Sequence, residues 1–202
     1  MILDIPFYKQ TTPWNCGPVA LKMVLSYFGE DVEIETLEKR MDAKEGKGIS
    51  TIQIAITAAS LGYRTDFYSK HPLFNEENLK LDFYKKYVDI DLEGSKKLLE
   101  EAERLGVNIE EKELDLEELL SKVTEDSVPI VLVDWNAIDG GKGYQGHFLP
   151  LVGYDEMNVY VHDHGLKDPR PFKPIPRGIF DRARKAEGTD EDIVIVHRPD
   201  SG

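Results

Sequence analysis

QTTPWNCGPVALKMVLSYFG, residues Gln10–Gly29, is the stretch whose reading decides the fold. It contains the single cysteine of the chain, Cys16, followed by Gly17, Pro18 and a long apolar run. Proline is favoured in the first turn of a helix, where its missing N–H costs nothing. Asn15-Cys16-Gly17 therefore reads as the turn that opens a helix, and Gly29 as the residue just past its end. Val19, Met23, Val24, Tyr27 and Phe28 fall on adjoining faces at helical spacing, and Leu21 and Leu25 widen the apolar surface. A helix apolar on nearly all sides belongs in the middle of a domain.

This arrangement puts a thiol at the N-terminus of a buried helix, where free N–H groups and the macrodipole favour an anion. Gln10, six residues earlier, is near enough to bring its amide beside the sulfur. A nucleophile with two donors, the Gln10 amide and the Cys16 N–H, is what acyl transfer needs to hold a tetrahedral oxyanion. The plain alternative is that Cys16 is a small buried hydrophobe.

With 202 residues, 41% hydrophobic and 31% charged, the chain suits one sizeable soluble core. A net charge of −13 argues against nucleic acid or an anionic membrane as partner. One cysteine rules out an internal disulfide and suits a reducing compartment. No signal peptide and no membrane-length apolar stretch is visible, so a cytoplasmic location is expected.

A second informative block is GHFLPLVGYDEMNVYVHDHG, residues 146–165. His147 begins an apolar strand just beyond the glycine-rich loop Asp139–Gly146, and Asp163 ends the next strand, Val159–Asp163. Cysteine catalysis needs a base to take the thiol proton and return it to the leaving amine. A carboxylate on the far ring nitrogen of that base fixes its tautomer. His162 and His164 flank Asp163, but on a strand they point to the face opposite it, and two histidines alone make a weak zinc signal.

The first block, from Ile5 to Gly29, resembles the start of the C39-like peptidases, a branch of the papain-like cysteine peptidases. In that family a glutamine and then Cys-Gly-Pro open the nucleophile helix, and the second block resembles the family's His and Asp strands. Two departures are His164, where the family commonly has proline, and Pro150 inside the His strand. The resemblance implies an α+β papain-like fold, with N-terminal helices packed against a C-terminal antiparallel sheet. It also implies a cysteine peptidase in which Cys16 attacks, His147 shuttles the proton, Asp163 orients His147 and Gln10 binds the oxyanion. The substrate would be a peptide or protein, and no metal or cofactor is implied. An acyltransferase with the same triad, or a binding module without turnover, are the alternatives.

Elsewhere the patterns predict short helices over Val32–Met41 and from Ser50 to Gly62, and strands at Tyr63–Tyr68 and Val107–Leu114. Asp115 opens a further helix, Val128–Trp135 reads as a central strand, and the chain closes with a helix at Arg177–Ala186 and a strand at Ile193–His197. Asn75–Gly106 reads as two charged amphipathic helices, an insertion in a single domain of residues 1–202. These helices pack on the domain edge or act as a lid. Trp14 either walls the cleft or packs, and Gly17 either admits a substrate backbone or makes a tight turn.

Strand parity supplies a test of the triad. Side chains alternate along a strand, so His147 and Asp163 share a face only if the hairpin between them has the right register. A five-residue loop Gly153–Met157 sets them opposite each other, and a three-residue loop sets them diagonally. A two-residue turn at Glu156-Met157 sets them on opposite faces unless a bulge intervenes, which Pro150 makes conceivable. An odd loop or a bulge is expected, with His147 hydrogen-bonded to Asp163 and approaching Cys16 from its other nitrogen.

Overall fold

The computed structural model describes residues 1–199. Three helices lead: α1 (Cys16–Tyr27), α2 (Ile34–Arg40) and α3 (Thr51–Ser60). Strand β1 (Thr65–Ser69) follows, then a 3₁₀ turn (Glu76–Lys80), α4 (Asp82–Tyr87) and α5 (Leu92–Arg104). The rest is β2 (Asn108–Glu111), α6 (Leu116–Leu120), β3 (Ser127–Asp134), α7 (Trp135–Asp139), β4 (Gly146–Tyr154), β5 (Asn158–Asp163), β6 (Arg170–Pro176), α8 (Arg177–Arg184) and β7 (Ile193–His197). Among the described residues seven strands form one sheet in the order β2-β1-β7-β3-β4-β5-β6.

The α+β reading holds. α1 runs from the cysteine and is buried from Gly17 through Leu25, as its apolar surface requires. It packs against β4 and β3, and α3 packs against β7 and β1. Ser50 and Gln53 form a capping box that starts α3. β3 lies at the centre of the sheet and is buried from Ser127 to Val133, matching its unbroken apolar run.

One strand pair departs from the antiparallel expectation: β1 and β2 run parallel. Parallel neighbours need a long crossover, usually helical. The charged segment 75–106 supplies it, as α4 and α5 joining the two strands. Its first half is two short pieces, the 3₁₀ turn and α4, rather than the one helix expected. β6 carries three prolines in RPFKPIP, a composition that does not read as a strand in sequence. It lies at the sheet edge, where missing N–H donors are tolerated.

The β4–β5 hairpin resolves the parity question. Asp155 N–H donates to Asn158 O, closing a two-residue turn at Glu156-Met157, the case that puts His147 and Asp163 on opposite faces. The register then shifts: Tyr154 pairs with Val159 and Gly153 with Tyr160, but Leu151 pairs with Val161. Val152 is the extra residue of a bulge, and continuing the Leu151–Val161 register sets Asp163 opposite Leu149, diagonal to His147 and on its face. The N-terminal segment holds the bulge. Leu3 N–H donates to Val152 O at 2.7 Å and Tyr154 N–H to Met1 O at 2.9 Å. Gly153 is obligatory there, because a Cβ would lie 2.3 Å from Met1 O and 2.8 Å from Ile2 Cα.

Candidate active site

The loop before α1 is shaped by Asn15, which is fully buried. Its Oδ1 accepts from Thr11 N–H (3.3 Å) and Thr12 N–H (3.2 Å), and its Nδ2 donates to Thr11 Oγ1 (2.8 Å) and Glu38 Oε1 (2.9 Å). These bonds fix the path between Gln10 and Cys16. Gln10 is buried, its N–H donates to His164 O at 2.9 Å, and its Nε2 donates to Thr12 O at 3.1 Å. An amide carries two N–H groups, so one remains for an oxyanion.

Gln10, Cys16, His147 and Asp163 line one open cleft, together with Trp135 and Gly146. The four residues singled out in the sequence thus meet in space. Packing favours glycine at position 17, since a Cβ there would lie 2.5 Å from Ile49 Cδ1.

The charge states differ from the expected reactive thiolate. Burial pushes the Cys16 thiol above its ordinary range, outweighing the N–H groups of Phe148, Gly17 and Cys16 that point at the sulfur and favour the anion. Burial also pushes His147 well below the usual histidine range, helped by the neighbouring His164 and Lys173. The resting pair is therefore a neutral thiol and a neutral imidazole. No hydrogen bond joins Cys16 to His147 among the described residues.

The expected His147–Asp163 bond is not made either. Asp163 is buried at 3% exposure, but its Oδ2 accepts from Lys173 Nζ at 2.8 Å. Lys173 comes from β6, the strand missed in the sequence, and its ammonium also sits 4.4 Å from the centroid of the Trp135 ring. That ring meets His147 edge-on at 5.4 Å. Trp135, not Trp14, is the tryptophan of the cleft. Its position directly after the central strand was the available signal.

His147 also lies against His164, with ring centroids 4.9 Å apart and the rings tilted by 31°. His164 Nδ1 lies 3.0 Å from His162 O and Nε2 lies 3.0 Å from Cys16 O. A neutral imidazole donates from only one nitrogen, so both contacts are hydrogen bonds only in the imidazolium. Burial lowers the His164 pKa and disfavours that form. His162 Nε2 is 2.8 Å from Ile5 O, and its Nδ1 accepts from Phe172 N–H. Both flanking histidines are thus engaged with the backbone. Asp134 and Asn136, at the end of the central strand, hold the glycine-rich loop: Asp134 Oδ1 accepts from Gln145 N–H, and Asn136 Nδ2 donates to Lys142 O and Gly143 O. Among the described residues no group of three or more His, Cys, Asp or Glu side chains is placed to hold a metal, and no helix is long and apolar enough to cross a membrane.

Comparison with known proteins gives two kinds of relative. Among solved structures, a double-glycine motif protease from an AMS/PCAT transporter, in complex with a leader peptide, superposes with a TM-score of 0.57 at 18% identity, covering 98% of this chain and 94% of that one. A putative C39-like peptidase from Bacillus anthracis gives 0.55 at 17% identity, covering 98% of both chains. The peptidase domain of Streptococcus ComA gives 0.52 at 14% identity, covering 95% of this chain and 96% of that one. At these identities the likeness establishes the fold, that of the C39-like peptidases. In sequence, Guanylyl cyclase 1 of Arabidopsis thaliana is 24% identical over 217 residues, covering 96% of this chain and 76% of that protein. The family model described as guanylylate cyclase matches residues 5–196. On the C39-like fold, therefore, the chain belongs to the guanylylate cyclase family.

Proposed function

We propose that the protein is a thiol-dependent hydrolase that cleaves a peptide or related amide bond. The observation that carries the reading is the convergence of Gln10, Cys16 and His147 on one cleft, with Cys16 at the first turn of the buried α1.

The neutral pair sets the order of events. His147 takes the Cys16 proton as the sulfur attacks the substrate carbonyl, so no free thiolate has to be stored. The new S–C bond drives the carbonyl electrons onto oxygen. The free N–H of the Gln10 amide and the backbone N–H of Cys16 receive that oxyanion. The imidazolium then returns its proton to the amine as the C–N bond breaks, leaving a thioester on Cys16. Water, deprotonated by His147, hydrolyses the thioester and regenerates the thiol. Asp163 supports the imidazolium from the adjacent strand once Lys173 releases it, an exchange of partners on one sheet face.

A second reading comes from the family match, since the Arabidopsis relative is named a guanylyl cyclase. The two readings separate in one comparison: new peptide ends from a peptide mixture against cyclic GMP from GTP, with wild-type protein and Cys16→Ala. The hydrolase reading expects new ends that vanish in the variant. Acyl transfer in place of hydrolysis would appear as an amide product when a free amine is added.

A further inference from the structure

A second cavity shares Cys16 and Gly146 with the cleft and extends from them between α3 and the crossover helices α4 and α5. Its walls are mostly apolar, with Ile49, Phe67, Leu132 and Phe148 among them, yet Asp192 and Thr51 also line it. The Ser69 and Thr51 hydroxyls lie against Asp192. Even so, Asp192 Oδ1 and Thr51 Oγ1 are both buried without a hydrogen-bond partner among the described residues. Thr51 as a whole is 2% exposed. Unpartnered buried polar atoms are uncommon and call for an explanation.

The loop that carries Asp192 is built to hold it there. Asp190 and Glu191 both adopt left-handed backbone angles, φ 47° and 54°, an arrangement that costs free energy in side chains of this type. Several bonds offset the strain. Asn75 and Asn78 donate to the two Asp190 carboxylate oxygens at 2.9 and 2.7 Å, and the Tyr84 and Tyr144 hydroxyls both donate to Gly188 O. Leu132 N–H donates to Asp192 O at 3.1 Å. Leu132 in turn pairs with Phe148, the residue whose N–H points at the Cys16 sulfur. The acid thus stands two strand spacings from the nucleophile's neighbour, roughly 10 Å.

We propose that this cavity receives a lysine-type side chain of the substrate, its aliphatic stem along Leu132 and Phe148 and its ammonium on Asp192 Oδ1 and Thr51 Oγ1. The inference rests on the hydrolase reading and names its substrate class. A four-carbon stem ending in a compact charge fits a passage with apolar walls and one acidic end. An ammonium also offsets the repulsion between Asp192 and the neighbouring Asp190 carboxylate.

Calorimetric titration of the full-length protein with Nα-acetyl-lysine methylamide and Nα-acetyl-norleucine methylamide tests this without requiring turnover. The lysine compound is expected to bind about tenfold or more tightly, the usual worth of a charge-assisted hydrogen bond. Asp192→Asn should abolish that preference, and Thr51→Val should reduce it; thermal melting of each variant checks folding. Equal binding of the two compounds, or no binding of either, would overturn the proposal. A lysine preference in binding without peptide cleavage sinks the hydrolase reading alone. Cleavage with no lysine preference sinks the subsite alone.

Discussion

Lys173 Nζ and Asp163 Oδ2 lie 2.8 Å apart, across two neighbouring edge-side strands, and this ion pair occupies the carboxylate that the proposed reaction turns to His147. Lys173 is mostly buried, with 23% of its side chain exposed, so the pair is poorly screened by solvent. It keeps positive charge near His147 and adds to the burial and the His164 ring that hold that imidazole neutral.

Replacing Lys173 with Met should therefore raise the His147 pKa, because a repelling cation is lost and Asp163 is freed to accept from the ring. A histidine titration followed by NMR reads this directly. Alkylation of Cys16 at pH 7 should accelerate in the same variant, since an imidazolium nearby favours the thiolate. An unchanged or lowered His147 pKa would mean that Lys173 does not govern the site.

Gln10→Ala should lower kcat by about 10²- to 10³-fold, the usual effect of losing one oxyanion donor. Its melting temperature should stay close to wild type, because the Gln10 side chain makes a single bond, to Thr12 O. Asn15→Ala should behave differently. It removes four hydrogen bonds from a fully buried residue and should destabilise by roughly 1–3 kcal/mol as well as slowing turnover. Comparable melting losses in the two variants would contradict this division of labour.

Gly153→Val tests the bulge. The added side chain would strike the Met1 and Ile2 backbone, not a flexible side-chain end, so the N-terminal segment must leave β4 or the bulge must shift. A destabilisation of about 1–3 kcal/mol is expected, typical of overpacking. Loss of activity beyond that explained by unfolding is also expected, because the bulge is what sets His147 and Asp163 on one face. A fully active, fully stable variant would argue that the register tolerates the change.

Burial raises the Asp192 carboxyl from 3.8 to about 7. The folded state therefore binds this proton more tightly than the unfolded state does. The stabilisation is fully present below about pH 4 and is lost as pH rises through about 7. Asp192→Asn, which mimics the protonated acid, should melt higher than wild type at pH 8, by no more than about 4 kcal/mol of stability. The gap should close toward pH 4. Parallel stability curves across that range would contradict a buried, proton-holding Asp192.

What could be read from the sequence followed from local signals. The Cys16 helix, the central strand and the His147 and Asp163 strands each announce themselves through periodicity, Gly and Pro placement and apolar runs. The partition of the hairpin could be posed but not decided, since a two-residue turn plus a bulge has the same consequence for parity as an odd loop. The bulge is stabilised by Met1–Leu3, some 150 residues away in the chain, and no local pattern encodes that contact. Lys173 was invisible for a related reason: β6 is rich in proline and reads as a loop, so nothing suggested that its lysine reaches Asp163. The thiolate is not legible in sequence either, because desolvation at Cys16 outweighs its helix position and depends on the whole surrounding fold. The buried Arg184, 1% exposed beside Asp181 and Glu191, likewise looks in sequence like one more charge on an exposed helix.

Covalent amide cleavage by Cys16, as proposed, is tested by mass spectrometry of a proteome-derived peptide mixture after incubation with the protein. Wild type should generate new peptide ends and a transient acyl adduct on Cys16, while Cys16→Ala should generate neither. Identical new ends from the variant, or cyclic GMP formed from GTP with no new ends, would contradict the account.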